Sequence, residues 1–270
     1  MKKWLIFSIV LWSPIIWGAF GFIVEDEPLA TLSIKEESIL SNKKEVKLLI
    51  WNIYKESKRN FKESYKLFLE DSKPDILVLQ EAVYPSGKDL CLTASDCYFS
   101  SAFYKGVKHF GVLTSSRFPV LEATTLHSNK REPILNTPKT SLVTIVETPS
   151  GSLLVINTHG INFVGLSAYE IQMQEIVDYA KSWDGPVIWA GDFNSWNSGR
   201  SKVLDKATKE LKLKKVDLEN DHLVKRFMGY SLDHVFTKDL DIVQARVVDT
   251  KVSDHNPLIL NINLRSSKTD

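Results

Sequence analysis

Pro186-Val187-Ile188-Trp189-Ala190-Gly191-Asp192-Phe193-Asn194-Ser195-Trp196 is the stretch on which the reading of this chain turns. Pro186 to Trp189 read as a strand that runs into a small-residue turn, setting a carboxylate and a carboxamide two positions apart at its C-terminal end. Open α/β sheets place ligands at that end of their strands. Asp192 offers an anionic acceptor and Asn194 an acceptor with donors, a pair suited to a hard cation, a positioned water or a phosphate oxygen. Gly, Asp and Asn also dominate turns for backbone reasons alone, so the stretch by itself leaves a site and a plain turn both open.

Working outward, other apolar runs end on polar residues in the same way. Val46 to Ile53 is a buried strand ending near Asn52, and Pro74 to Gln80 is another that carries Glu81 out at its end. Phe61, Tyr65, Phe68 and Leu69 repeat at helical spacing between them, and Lys73-Pro74 stops that helix. Residues 82–104 are rich in turn formers and read as a loop insertion, followed by short strands at Gly111–Thr114 and Val120–Thr124. Pro149-Ser150-Gly151 predicts a hairpin joining Thr140–Glu147 to a strand from Leu153 that ends at His159. Tyr169, Met173, Ile176, Val177, Ala180 and Trp183 mark one face of a helix leading into the central stretch. A basic helix follows, with Leu204, Ala207 and Leu211 inward; its lysines alternate with Asp205 and Glu210 and read as a solvated face. The closing strands are Leu232–Phe236, Ile242–Val248 and Leu258–Leu264, with Asp254-His255 in the last turn.

Length and composition bound what this chain can be. At 270 residues with 43% apolar residues, one large core is expected. A formal charge of +1 excludes the strongly basic face of a dedicated duplex binder, so a nucleic-acid substrate would be held by local patches. Lys2 and Lys3 precede an apolar run from Trp4 to Val24, closed by Glu25, Asp26 and Glu27; this predicts an uncleaved signal anchor over 1–27, with a cleaved signal and a periplasmic or secreted domain as the alternative. On that reading a linker spans 28–44, a single domain spans 45–266 outside the cytoplasm and a tail spans 267–270. Cys91 and Cys97, six positions apart, form either a disulfide or two free thiols.

Asp-His occurs three times, at Asp221-His222, Asp233-His234 and Asp254-His255, so the dipeptide alone says nothing. Position says more: Asn52, Glu81, His159, Asp192, Asn194 and Asp254-His255 all fall at strand ends or in the turns between strands, which neighbouring strands bring to one edge. In sequence and order, LIWNI, VLQEA, INTHGIN, AGDFNSW, SLDHVF and SDHNPL resemble the endonuclease/exonuclease/phosphatase superfamily of DNase I-like phosphoesterases, over roughly Val46 to Leu264. WNIYK, REPIL, NTHGINF and SDHNPL further resemble its bacterial YafD-like branch.

The resemblance implies an α/β four-layer sandwich, two mixed β-sheets face to face with helices outside, and metal-dependent hydrolysis of a phosphoester. By motif, Glu81 is the principal Mg²⁺ ligand (Mn²⁺ a substitute), with Asn52 beside it on metal or phosphate and Asp254 in the last motif. Asp192 and Asn194 align the attacking water, His159 hydrogen-bonds the phosphate, and Asp233 orients His255. The chemistry is coherent without the family: an anionic diester repels a nucleophile, so its hydrolysis calls for a cation and for groups that move protons. Asp192 is the first choice for base, with His255 the alternative. His234, Asp221 and His222 read as structural. Ile53, Tyr54 and Lys55 stand where several nuclease members carry an acidic residue after the first motif, which favours one metal centred on Glu81.

The expected substrate is a phosphodiester in DNA or RNA, with no protein partner implied. Alternatives are a phospholipid, sphingomyelin or inositol-phosphate substrate, against which the lack of an obvious exposed aromatic hairpin counts, and a non-catalytic binding protein on the same scaffold.

Overall fold

The computed structural model describes residues 29–32, 43, 45–85, 89–93, 95–133 and 136–264. Its core is a pair of mixed sheets. The first runs, edge to edge, β1 (Leu29–Leu32), β4 (Asp96–Lys105), β5 (Lys108–Ser116), β3 (Ile76–Tyr84), β2 (Glu45–Asn52), β15 (Leu258–Leu264), β14 (Leu240–Val247). The second runs β10 (Lys214–Lys215), β13 (Asp233–Lys238), β9 (Val187–Asp192), β8 (Gly151–His159), β7 (Thr140–Thr148), β6 (Val120–His127). A small ribbon, β11 (Arg226–Phe227) and β12 (Tyr230–Ser231), stands apart from both.

Period-two alternation decides what each sheet faces. Val46, Leu48 and Ile50 of β2 meet Leu153, Val155, Ile188, Ala190 and Val235 of the second sheet in one inter-sheet core. The alternate residues Leu49 and Trp51 face outward under α1 (Phe61–Ser72), with Phe61 and Tyr65. Trp189 and Val187 likewise face α2 (Leu166–Ala180) and α3 (Ser198–Glu210), through Tyr169, Met173, Ile176, Leu204 and Ala207. Helix, sheet, sheet and helix make the four layers expected from the sequence.

Parallel pairing sets the site edge. β2 lies parallel to β3, and β8 parallel to β9, so their C-terminal ends emerge together within each sheet. β13 runs antiparallel to β9 and brings its first residue, Asp233, opposite Asp192.

Three sequence expectations change. Residues 82–104 are not a loop insertion throughout: β3 continues to Tyr84, and Asp96–Lys105 is a strand paired with β5 along its length. Part of the stretch read as linker, Leu29–Leu32, pairs with β4 as an edge strand. The membrane anchor is withdrawn, together with the membrane-anchored placement of the domain. Among the described residues no helix is long and apolar enough to cross a membrane; the longest, α2, has 15 residues, against about 20 needed to span. The apolar run over 4–24 that prompted the expectation lies outside the described residues. Of the two states open to Cys91 and Cys97, the fold adopts the disulfide.

Candidate active site

The inter-sheet face carries the site as a continuation of the core. On β9 the inward side chains are Ile188, Ala190 and then Asp192; on β2 they are Val46, Leu48, Ile50 and then Asn52. The last inward residue of each strand is therefore polar, and the two meet across the sandwich: Asn52 Nδ2 donates to Asp192 Oδ2 at 3.0 Å. His159 and Asp233 lie beside Asp192 in register on the flanking strands, so all three side chains share one face.

Asp192 has its remaining oxygen fixed by the backbone. Oδ1 accepts from the Asn194 N–H at 3.0 Å, a contact made possible by the turn at Asn194, whose φ is 49°. Gly191 has φ 140°, and a Cβ there would lie 2.1 Å from the Thr158 carbonyl oxygen, so only glycine fits this strand end. Asn194 is held in turn: its amide donates to the Gly160 carbonyl at 2.9 Å, and its Oδ1 accepts from Asn162 at 2.9 Å.

His255 is oriented by Asp233, whose two carboxylate oxygens both lie 2.9 Å from Nδ1. Its Nε2 is thereby turned toward Asp192, 3.9 Å from Oδ2. The His255 backbone is pinned as well, since its carbonyl accepts from the Trp51 indole at 2.8 Å. Burial alone would depress the His255 pKa, but the adjacent Asp233 carboxylate and its hydrogen bond outweigh burial, helped by Asp192 and Asp254, and raise it to about 10. Burial pushes the Asp192 carboxyl up to about 6; His255 pulls against this shift and Asp233 adds to it. His159 is driven well below its ordinary range by burial and by Lys139, Lys55 and His255. The site thus holds a neutral imidazole and a cationic one on either side of a carboxylate.

Glu81 reaches the site by breaking its strand. The β3–β5 register shifts between Gln80 and Ala82, and Glu81 takes φ 54° in that bulge. Its Oε1 lies 3.9 Å from His159 Nε2, which lies 3.6 Å from Asp192 Oδ2. Its Oε2 pairs with Lys55 Nζ at 2.5 Å. Lys55 sits in a turn where Tyr54, Lys55 and Glu56 all have positive φ (49°, 55° and 56°).

Asn52, Glu81, His159, Asp192, Asn194, Asp233 and His255 are thus brought to one edge. Asp254 is not among them: its carboxylate lies 3.3 Å from Lys225 Nζ, on the outer side of the loop. Asp192, Asp233 and His255 each present a ligand atom within 4.8 Å of the others, a buried oxygen and nitrogen set able to hold a divalent ion.

Sequence reasoning missed Asn162 and Arg200. Arg200 is 1% exposed and donates to the carbonyls of Ile161 (2.6 Å), Asn194 (3.2 Å) and Val164 (3.2 Å), tying together the loops after β8 and β9. Its guanidinium lies 4.4 Å from the centre of the Tyr169 ring. The signal was present in the spacing, because Arg200 continues the inward face of Leu204, Ala207 and Leu211.

His234, read as structural, is buried on the opposite face, with Nε2 at 2.8 Å from the Ser195 hydroxyl and Nδ1 without a partner. Burial lowers its pKa to about 3, from an ordinary 6.5. The unfolded chain therefore takes up this proton first as the pH falls, and stability is lost between about 6.5 and 3. His234→Gln is expected to flatten the fall of Tm between about pH 6 and pH 4 in thermal melts; an unchanged slope would assign that fall to other groups.

Two mixed sheets flanked by helices, with a buried carboxylate and histidine cluster at the strand ends, make a DNase I-like α/β sandwich with a potential metal site. The family model described as Endonuclease/Exonuclease/phosphatase family matches residues 49–255, and the chain belongs to that family. It is 33% identical over 242 residues to a UPF0294 protein of Vibrio parahaemolyticus, covering 88% of this chain and 85% of that one. A UPF0294 protein of Klebsiella pneumoniae is 34% identical over 230 residues, covering 83% and 84%. Among solved structures, the endonuclease/exonuclease/phosphatase from Bacteroides vulgatus matches with a TM-score of 0.64 at 17% identity, covering 83% of this chain and all (100%) of that one.

Proposed function

We propose that this protein is a divalent-metal-dependent phosphodiesterase that cleaves nucleic acid, of the YafD-like branch, with Mg²⁺ as its ion. The observation that carries the reading is the row His159, Asp192 and Asp233 in register beneath His255, facing Asn52 across the sandwich. Glu81 and Asn52 would hold the ion, with Asp192 adjacent. When bound, it neutralises charge on the phosphate oxygens. In this reading His255, fixed by Asp233, serves the phosphate, and Asp192, Asp233 and His255 are the second set of side chains that could hold the ion. Asp254 acts at a distance, as part of the field that keeps His255 charged.

The side chains divide the remaining work. Asp192, held by Asn52 and by the Asn194 N–H, takes the proton of the attacking water. Neutral His159 donates a hydrogen bond to a phosphate oxygen, and His255, cationic and fixed by Asp233, stands against the developing negative charge. The Cys91–Cys97 disulfide supports an oxidising compartment as the place of action.

The test is a panel of plasmid DNA, RNA, phospholipid, sphingomyelin and inositol phosphates, each with Mg²⁺ and with chelator. Chelator-sensitive cleavage of nucleic acid is expected; cleavage of a lipid or inositol phosphate alone would overturn the substrate, and no cleavage of any would overturn the activity. Lys55 supplies a second check, because its ammonium competes with an ion for Glu81. Lys55→Met is expected to raise divalent-ion affinity about five-fold in calorimetric titration, the equivalent of ~1 kcal/mol for a part-exposed ion pair. Unchanged affinity would remove Glu81 from the ligand set.

A further inference from the structure

Among the described residues, the exposed aromatic side chains are Tyr54, Phe163, Phe227 and Tyr230. Each lies close in sequence to a site residue: Tyr54 two positions after Asn52, Phe163 four after His159, and Phe227 and Tyr230 six and three before Asp233. Large rings elsewhere, such as Trp51, Trp189, Tyr169 and Phe99, are fully buried. The loops of the exposed rings all leave from the sheet edge that carries the site, and exposed apolar side chains beside polar ones mark a surface that something covers.

The Phe227 ring is tied to the site by contacts. Phe227 belongs to the β11–β12 hairpin, which turns through Met228 (φ 50°) and Gly229 (φ 85°); with Phe227, Met228 and Tyr230 exposed, it is an aromatic hairpin that corrects the expectation of none and removes that argument against a lipid substrate. The Phe227 ring meets Trp196 edge-on, with centres 6.1 Å apart. The Trp196 indole donates to Asn162 at 2.8 Å, and Asn162 donates to Asn194, so two hydrogen bonds link the ring platform to the residue beside Asp192. Cations accompany the rings. Lys55 and Lys58 lie 5.6 Å and 5.3 Å from the centre of the Tyr54 ring. Lys225 and Arg226 precede Phe227, and pair with Asp254 and Asp221.

We infer that these rings form a track on which unpaired nucleobases stack on either side of the scissile phosphate, so that the substrate is single-stranded nucleic acid. This rests on the phosphodiesterase reading above and narrows it. A nucleotide presents a flat π face and an anion, which rings interleaved with cations match. Bases in a duplex keep their faces stacked inside the helix and cannot meet side-chain rings, whereas unpaired bases can. The rings leave from loops of both sheets, after β2 on one side and after β8 and before β13 on the other, at the strand ends that carry Asn52, His159 and Asp233. That arrangement suits a strand crossing the site better than a bilayer, which would be met by one projecting apolar element.

The test is binding of the full chain, in chelator, to a fluorescent oligothymidylate and to an abasic oligonucleotide of equal length, read by anisotropy. The base-bearing strand is expected to bind about tenfold tighter, the scale of stacking on one ring. The double variant Phe227→Ala, Tyr230→Ala, and separately Phe163→Ala, should bring that ratio toward one and leave abasic binding unchanged. Equal binding of the two strands by the unaltered protein would overturn the inference, as would a ratio that survives in all the variants. So would loss of sedimentation with phosphatidylcholine vesicles in the variants at an unchanged oligonucleotide ratio. Hydrolysis of the abasic oligonucleotide with Mg²⁺ supplied, which offers the rings no face to stack on, should persist in the ring variants. Its absence from the unaltered protein would defeat the phosphodiesterase reading while the binding ratio still reported on the rings.

Discussion

Asp192→Asn is expected to lower phosphodiester hydrolysis by about 10³-fold, equivalent to ~4 kcal/mol of transition-state stabilisation, with the fold intact. The amide keeps the shape of the carboxylate and, through its oxygen, the contact with the Asn194 N–H, but it gives up the bond accepted from Asn52 Nδ2 and cannot accept a proton. Because burial raises the Asp192 pKa to about 6, ionising this group above that pH opposes folding. The variant should therefore melt no lower than the unaltered protein at about pH 8. A near-normal rate in purified D192N would remove Asp192 from the role of base. The unaltered protein should also lose activity as the pH falls through about 6, where Asp192 becomes protonated.

His255→Asn is the second large effect, expected to cost about 10² to 10³ in kcat through loss of a fixed cation facing the reacting group. Asp233→Asn separates orientation from charge. It leaves the ring in place but removes the main support for a pKa of about 10, so the alkaline limb of the rate profile should move down toward neutrality. An alkaline limb that stays near about 10 in the Asp233 variant would show that another group titrates there.

The sheets were legible because their inward and outward residues alternate cleanly, as in Val46, Leu48 and Ile50 against Leu49 and Trp51. β4 was hidden by its serines. Ser100 is buried between the sheets and bonded to Thr140 and Thr125, so it reads as a turn former while serving as core. Most of the site was legible as polar residues closing apolar strands. What was not legible depends on backbone turns or long-range contacts: the bulge that redirects Glu81, the lysine placed on it by a left-handed turn, the carbonyls that gather around Arg200, and the outward side of Asp254.

The in-register row of His159, Asp192 and Asp233 makes the chemistry a reporter of strand alignment. A slip of one residue in β9 would send Asp192 to the helix side, bring Gly191 into its place and turn Trp189 in between the sheets, at once for every partner. Sequence drift in this protein is therefore constrained in parity: a single insertion within the central strands erases the site, while changes in loop length at the far edge of the sheets leave it untouched.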